Sequence, residues 1–328
     1  MMRYIHSQST DPCRNLALEQ YIFDCLDRSY DYFMLWQNEN SVIVGKHQNT
    51  AAEIDTAYIK ENGIKVVRRL SGGGAVYHDL GNLNFTFIAD CSRSDFDFST
   101  FCRPVMRALG TMGVKVDLSG RNDMSIEGRK FSGSAMYLKN GRVMHHGTLL
   151  YDSNLDVLSK ALRVQKDKYE SKGIGSVRSR VTNILPYLER DISIGQLIGT
   201  LRNFMFQEYE MEEYALTEED LIQVTKLHDD VYNTWDWNYG ASPKYNVRRE
   251  RRFENCGNIE VFMEVQRGVI HDIRFYGDFF GCGEPDEIAS LLTGRRLTEE
   301  DLRHALKGVS VNDYFQGISL EDFLNMLL

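Results

Sequence analysis

The chain has 328 residues, of which 42% are hydrophobic and 26% charged, as is typical of a globular protein. A net charge of −9 argues against a general nucleic-acid-binding protein, and no apolar run approaches the roughly 18–20 residues of a membrane helix. The N-terminus has no apolar signal-peptide region, and the six cysteines lack the paired short spacing of a disulfide framework or a zinc site. We therefore expect a cytoplasmic protein with one large core and a smaller second domain.

The N-terminal part of the chain predicts two helices and several strands. Asp11 followed by Pro12 favours a helix start, because Asp caps a helix and Pro suits its first position. Thr50 and Glu53 have the spacing of a capping box, for a helix that ends at Gly63. Strands are predicted over 33–37 and 41–45, around a turn at 38–40, and over 64–69.

Residues 68–88 contain the most unusual stretch, in which Arg68 and Arg69 run into three consecutive glycines at 72–74. Adjacent glycines leave backbone amides uncovered, so an anion such as a phosphate, held by N–H groups and a guanidinium, is a natural ligand. A flexible turn is the alternative, and the stretch lacks the spacing of the common phosphate-binding loops. A half-buried strand is predicted after it from the alternation of Leu83, Phe85 and Phe87 with polar residues.

The middle of the chain predicts a helix around 99–112 and then a group of strands. Asn140-Gly141 favours a tight hairpin turn, which places Lys130 and residues 145–148 in neighbouring strands. The strands are predicted over 114–118, 123–127, 131–138 and 142–151, and further helices over 154–162, 194–206 and 218–227.

The C-terminal part predicts a separate small α+β domain. Residues 231–247 show neither helical nor strand periodicity, and alternation resumes at Ile259. We therefore predict a large domain at 1–240, a linker at 241–247 and a small domain at 248–328. The helices of the small domain are expected over 285–292, 298–306 and 319–327.

Four polar residues in or beside the predicted strands are candidates for chemistry. Lys130 is flanked by glycine and hydroxyl residues at a strand start, Asp123 follows a turn, and His145 precedes His146. Each has a simpler explanation: a surface lysine, a turn residue and core histidines. Adjacent strand residues point to opposite faces, so the two histidines cannot together ligate one metal.

Six segments resemble, in the same order, the motifs of the lipoate–protein ligase A family. They are 68–82, 120–123, 129–135, 145–150, 176–183 and 235–240. The resemblance implies an α+β fold with a catalytic domain of the class II aminoacyl-tRNA synthetase and biotin/lipoate ligase type, with mixed sheets, plus a small accessory domain. It also implies activation of lipoate by ATP and Mg²⁺ as lipoyl-AMP, with release of pyrophosphate. It further implies that the lipoyl group is then transferred to an acceptor lysine. The acceptor is a lipoyl domain of a 2-oxoacid dehydrogenase E2 subunit or the glycine-cleavage H protein.

The resemblance also assigns roles to residues. Lys130 is the expected catalytic residue and contacts both the lipoyl carbonyl and the phosphate. Lipoate is expected to contact Lys130, Arg69 and His146, and the metal Asp123. The expected ATP and adenylate contacts are Arg69, Ser71, Gly74, Ala75, Val76, Tyr77, Asn82 and Lys130.

Adenylation joins a carboxylate to a triphosphate, so fixed cations such as Lys130 and Arg69 suit the point where the two anions meet. The glycine-containing residues 172–175, in a basic stretch, are a candidate lid that excludes water. The base that deprotonates the acceptor lysine is left open between His146, Asp123 and the adenylate phosphate.

Three other functions are weighed against the ligase. An octanoyl or lipoyl transferase of the same fold needs an activated thiol, for which Cys91 and Cys102 are formal candidates. A non-catalytic lipoyl- or nucleotide-binding protein usually lacks the reactive lysine, which is present here. A biotin ligase is disfavoured because its Gly-Arg-Gly-Arg-type loop is absent. Octanoate is an alternative substrate, since an apolar pocket discriminates weakly between chain lengths.

Overall fold

The computed structural model describes residues 1–90, 98–119, 122–162, 180–239, 247–266 and 268–328. The strands are β1 (Met2–His6), β2 (Asp31–Trp36), β3 (Ser41–Val44), β4 (Lys65–Arg68), β5 (Val76–His78), β6 (Asn82–Asp90), β7 (Asp117–Ser119), β8 (Asp123–Ile126), β9 (Arg129–Lys139), β10 (Arg142–Leu150), β11 (Met211–Glu213), β12 (Val247–Phe253), β13 (Gly257–Gln266) and β14 (Val269–Gly277). The α-helices are α1 (Pro12–Cys25), α2 (Thr50–Glu53), α3 (Thr56–Glu61), α4 (Phe98–Gly110), α5 (Leu155–Ala161), α6 (Ile194–Glu208), α7 (Glu218–Leu227), α8 (Trp235–Asn238), α9 (Pro285–Leu292), α10 (Glu299–Ala305), α11 (Val311–Tyr314) and α12 (Leu320–Leu327). None of the helices in these ranges is long and apolar enough to cross a membrane.

The main sheet has eight strands in the order β11-β1-β2-β6-β10-β9-β8-β7. Strand β1 runs parallel to both of its neighbours, and the other pairs are antiparallel. The predicted hairpin joins β9 to β10, with positive φ at Asn140 and Gly141. The register sets His146 opposite Thr86 on β6 and opposite Ala135 on β9.

Both faces of the main sheet are covered at β6. This differs from the sequence prediction, in which this strand is buried on one face only. Phe85 and Phe87 of β6 pack on one face with α4 and α6. On the other face, Asn84 and Thr86 are also buried, because α1 lies there. Burial of each phenylalanine contributes roughly 1.5–3 kcal/mol, so the first face forms the main core. The second face keeps polar groups in a buried environment.

A second sheet has the strand order β4-β3-β5. Its strands β4 and β5 flank the glycine-rich loop, residues 69–75. The strands predicted over 33–37 and 41–45 exist, but β2 and β3 belong to different sheets. The predicted capping box at Thr50 was wrong, because Thr50 is the first residue of α2, after the N-cap Asn49, and its hydroxyl donates to the carbonyl of Asn238. Asp55 instead caps α3 by accepting from the Tyr58 amide.

The C-terminal residues form an antiparallel sheet, β12-β13-β14, packed against helices through its own apolar core. The predicted helices are confirmed as α9, α10 and α12. Strand β12 was not predicted, because its sequence, Val-Arg-Arg-Glu-Arg-Arg-Phe, has no apolar alternation. Most of the predicted linker, 241–246, lies outside the described residues.

Candidate active site

A cavity of about 450 Å³ opens on the α1 face of the main sheet. Apolar side chains from three elements form part of its wall: Leu16 of α1, Trp36 of β2 and Ile43 of β3. Polar residues of β8, β9 and β10 form another part, and the C-terminal region also contributes residues. The cavity therefore combines an apolar surface with a cluster of charged and hydrogen-bonding groups, as small-molecule sites generally do.

Most of the predicted site residues lie together around this cavity. Those that line it are Arg69, Gly74, Ala75, Val76, Asp123, Lys130 and His146. Ser71, Tyr77 and Asn82 lie behind the wall and bond to neighbouring side chains: Ser71 to His146, Tyr77 to Asn40 and Asn82 to Asn84. The candidate lid at 172–175 lies outside the described residues.

Lys130 and Asp123 form an ion pair at the cavity, with Lys130 Nζ 2.7 Å from Asp123 Oδ1. Their side chains are 41% and 29% exposed. A partly exposed pair of this kind contributes only about 0–1 kcal/mol, so Lys130 can exchange Asp123 for an anionic ligand at little cost. Gly133 provides the space, because a Cβ there would lie 2.9 Å from Lys130 Nζ.

Arg68 is committed to the protein's own backbone. Its Nη1 donates to the carbonyls of Gly45, Lys46 and Gln48, and Nε to that of Trp237. Burial lowers its pKa to about 10, which leaves it charged at neutral pH. Arg68 therefore holds the loop after β3 in place. Its guanidinium binds carbonyl groups of the protein, which differs from the interpretation of Arg68 as a phosphate ligand.

Arg69 lies beneath the glycine-rich loop and lines the cavity. Its Nη2 donates to the carbonyls of Gly72 and Gly74, at 2.7 and 2.8 Å, and its Nε to Ser71 Oγ at 3.0 Å. Burial lowers its pKa to about 10. Arg69 thus supplies a fixed positive charge to the site while its donors shape the loop.

The loop touches the C-terminal region at Gly73. The Gly73 amide donates to the carbonyl of Phe279 at 3.2 Å, and the residue has φ +88°. A Cβ at Gly73 would lie 2.9 Å from the Phe280 ring, whereas one at Gly74 would meet no heavy atom within 4 Å. Glycine is therefore required at 73 by conformation and by close approach, and the Gly74 side of the loop is open.

The two adjacent histidines lie on opposite faces, as predicted. His146 faces the cavity, with Nδ1 3.0 Å from Glu19 Oε1 and Nε2 2.6 Å from Ser71 Oγ. His145 faces the main core, where burial lowers its pKa to about 3 and Cys102 Sγ lies 3.8 Å from its Nε2. Cys102 does not line the cavity and is 1% exposed, with its Sγ 3.6 Å from the hydroxyl of the lining residue Ser134, so it is poorly placed as an acyl-carrying thiol. Cys91 lies outside the described residues.

Several cavity residues were not predicted from the sequence. His78 is inside the quoted 68–82 segment, and burial with the nearby Arg69 charge lowers its pKa to about 3, so it is neutral. With His78 Nδ1 assigned to accept from Asn38, its Nε2 carries the proton. Arg252 and Phe280 come from the C-terminal region, which no local pattern links to the site.

A possible metal cluster lies elsewhere, where Asp11, Cys13 and His228 place ligand atoms within 4.8 Å of one another. Conditions there oppose metal binding. Lys65 Nζ lies 3.3 Å from Asp11 Oδ2, and burial raises the Cys13 pKa to about 11, which disfavours a thiolate ligand.

Comparisons with known proteins define the class of this fold and site. Residues 11–206 match the model of the lipoyl protein ligase A/B catalytic domain, and residues 242–327 that of the bacterial lipoate protein ligase C-terminus. The chain belongs to the lipoate–protein ligase family, and the predicted α+β fold is confirmed.

Full-length relatives are similar to the chain throughout. It is 45% identical over 331 residues to lipoate-protein ligase LplJ of Bacillus subtilis, with 99% of this chain and 100% of the relative covered. The structure of P. falciparum LipL1 in complex with lipoate superposes with a TM-score of 0.81 at 26% identity, covering 99% of this chain and 97% of that one. A lipoate-protein ligase A bound with ATP gives 0.63 at 26% identity, over 73% and 98%.

Proposed function

We propose that this protein is an ATP-dependent lipoate–protein ligase. In the first half-reaction, a lipoate carboxylate oxygen attacks the α-phosphorus of ATP, and pyrophosphate leaves. In the second, the amine of an acceptor lysine attacks the lipoyl carbonyl, an amide forms and AMP leaves. The observation that carries the proposal is the Lys130–Asp123 pair at the wall of a cavity that also contains apolar side chains and the glycine-rich loop.

Lys130 is the proposed catalytic residue. When ligand anions enter, its ammonium exchanges Asp123 for the carboxylate and α-phosphate, where negative charge accumulates in the transition state. Arg69 adds a second fixed positive charge below the loop. Asp123, released from Lys130, offers the carboxylate oxygen that Mg²⁺ prefers, and Mg²⁺ would neutralise the departing pyrophosphate.

The second half-reaction requires a neutral amine, which costs roughly 4.6 kcal/mol at pH 7 for a lysine with a pKa of about 10.4. Both ring nitrogens of His146 are already hydrogen-bonded, to Glu19 and Ser71. His146 therefore has no nitrogen available for the incoming amine. Asp123 and the adenylate phosphate are the proposed proton acceptors.

The proposed acceptors are lipoyl domains of 2-oxoacid dehydrogenase E2 subunits or glycine-cleavage H protein, and the proposed location is the cytoplasm. The scattered spacing of the six cysteines in the sequence, which lacks the pattern of a disulfide framework, supports a reducing compartment. The proposed catalytic domain covers 1–240 and the accessory domain 248–328, joined by the linker 241–247. The two matched family segments support this division.

Pyrophosphate release, measured with lipoate, octanoate or biotin and with or without purified lipoyl domains, tests the function. We expect release with lipoate, slower or comparable release with octanoate and none with biotin. Amide formation on the lipoyl domain should depend on ATP. Release with none of the acids would overturn the proposal, and acyl transfer from an acyl-carrier donor without ATP would favour the transferase.

A further inference from the structure

A continuous series of hydrogen bonds joins the apolar wall of the cavity to the glycine-rich loop. It begins at Trp36, whose Nε1 donates to Thr86 Oγ1 at 2.9 Å. The Thr86 hydroxyl donates to Glu19 Oε1 at 2.5 Å. Glu19 also lies 3.0 Å from His146 Nδ1. Thr86 of β6 and His146 of β10 therefore meet at the Glu19 carboxylate of α1, and Trp36 of β2 is joined to it through Thr86.

The series continues from His146 into the loop. His146 Nε2 lies 2.6 Å from Ser71 Oγ, which also accepts from Arg69 Nε. The same guanidinium holds the carbonyls of Gly72 and Gly74. The conformation of the loop at 72–74 is thus linked to Glu19 through three intermediate side chains, those of Arg69, Ser71 and His146.

The direction of these bonds follows from an assignment of the His146 tautomer. With the His146 proton assigned to Nδ1, which then donates to Glu19, Nε2 accepts from the Ser71 hydroxyl. The Ser71 oxygen then has a lone pair left for Arg69. Glu19 is 2% exposed and Ser71 0%, so water does not compete with these bonds. Removal of one side chain from the series therefore takes a hydrogen bond from its neighbours.

We propose that this hydrogen-bond series couples occupation of the acyl pocket to the conformation of the glycine-rich loop, with Glu19 as its positioning residue. The inference rests on the proposed ligase function. An acyl chain against Trp36 and His146 orders the pocket end of the series, and the loop end is then ordered before the nucleotide arrives. The acid and the nucleotide should consequently strengthen each other's binding by the same factor, since such coupling is reciprocal.

Calorimetry on the full-length protein tests the coupling. The probe is α,β-methylene-ATP with Mg²⁺, which cannot form the adenylate, titrated with and without saturating lipoate. In the wild type we expect lipoate to raise the nucleotide affinity at least about fivefold, the lower end of typical coupling between sites. Glu19→Gln should bind both ligands but reduce this factor to near one.

Matched variants separate coupling from structural damage. Thr86→Ser keeps the hydroxyl and should keep the coupling factor, whereas Thr86→Val removes the hydroxyl and should lower it; this pair also serves if Glu19→Gln fails to fold. Glu212→Gln is the control, because Glu212 pairs with Arg3 on the opposite side of β1 from the cavity-forming strands. Its factor should equal that of the wild type.

Two results would overturn the inference and leave the ligase function standing. One is equal nucleotide affinity with and without lipoate in the wild type that still releases pyrophosphate. The other is full coupling in a folded Glu19→Gln or Thr86→Val variant. Failure of the wild type to bind lipoate or the nucleotide at all would instead overturn the proposed function, and the coupling with it.

Discussion

Lys130 and Asp123 lie on adjacent antiparallel strands, β9 and β8, with Nζ and Oδ1 2.7 Å apart. Asp123 pairs with Gly133 in the register, and Gly133 has no side chain to separate Asp123 from the Lys130 side chain, which reaches over it. The ammonium is thereby held at the cavity wall by a partner that it can exchange for substrate.

Lys130→Ala should reduce lipoyl-AMP formation by at least about 10²-fold, because removal of one donor that stabilises developing negative charge typically has that effect. Pyrophosphate release under saturating lipoate and ATP measures it. Lys139→Ala is the matched control, because Lys139 is an exposed lysine at the hairpin end of the same strand. Wild-type release by Lys130→Ala would contradict the assignment.

Asp123→Asn should raise the Mg²⁺ concentration that gives half-maximal pyrophosphate release, since a neutral amide is a weaker ligand for a hard cation than a carboxylate. A Mg²⁺ titration at fixed ATP measures the shift. Asp117→Asn, on the exposed strand β7, should behave as the wild type. An unchanged Mg²⁺ requirement in Asp123→Asn would contradict the assignment of Asp123 as a metal ligand.

Gly73→Ala should lower the free energy of unfolding by about 1–2 kcal/mol from the left-handed backbone alone, with a further loss from contact with Phe280. Urea unfolding followed by circular dichroism measures it. Gly74→Ala is the control and should have wild-type stability, because a Cβ there has open space. In a Phe280→Ala background, Gly73→Ala should lower the free energy of unfolding by a smaller amount. Equal losses in both backgrounds would show that contact with the Phe280 ring does not contribute.

Acidification should destabilise the protein through buried neutral histidines. The pKa values of His78 and His145 are lowered by burial to about 3, below the unfolded value of about 6.5. Between these pH values the unfolded chain binds more protons, so stability is present above about pH 6.5 and is lost as the pH falls. The loss reaches about 1.4 kcal/mol per pH unit for each histidine.

Urea unfolding at several pH values from 7 to 5 measures this slope. His145→Phe is the informative variant, because His145 packs against Phe85 and Phe101, where a phenyl ring suits the surroundings. The free energy of unfolding of this variant should fall less steeply with falling pH than that of the wild type. The difference in slope should equal the contribution of one histidine. An identical slope would show that His145 does not titrate on unfolding.

Local patterns in the sequence determined the elements with strong periodicity or turn chemistry. The Asp11-Pro12 start of α1 and the Asn140-Gly141 hairpin were predicted correctly, because caps and positive-φ turns are chosen by residues close in the chain. The motif resemblance predicted the family, and the hairpin placed Lys130 on the strand beside His146. These features depend on short separations along the chain.

Only the tertiary structure decided what covers each face and which distant groups meet. Nothing near Glu19 in sequence indicates that it reaches His146, 127 residues away, and the contact of Phe280 with Gly73 joins two predicted domains. Polar residues such as Thr86 alternate on β6 as on an exposed face, yet α1 buries them. Periodicity reports which residues share a face, whereas burial and hydrogen-bond partners depend on long-range packing that no local pattern encodes.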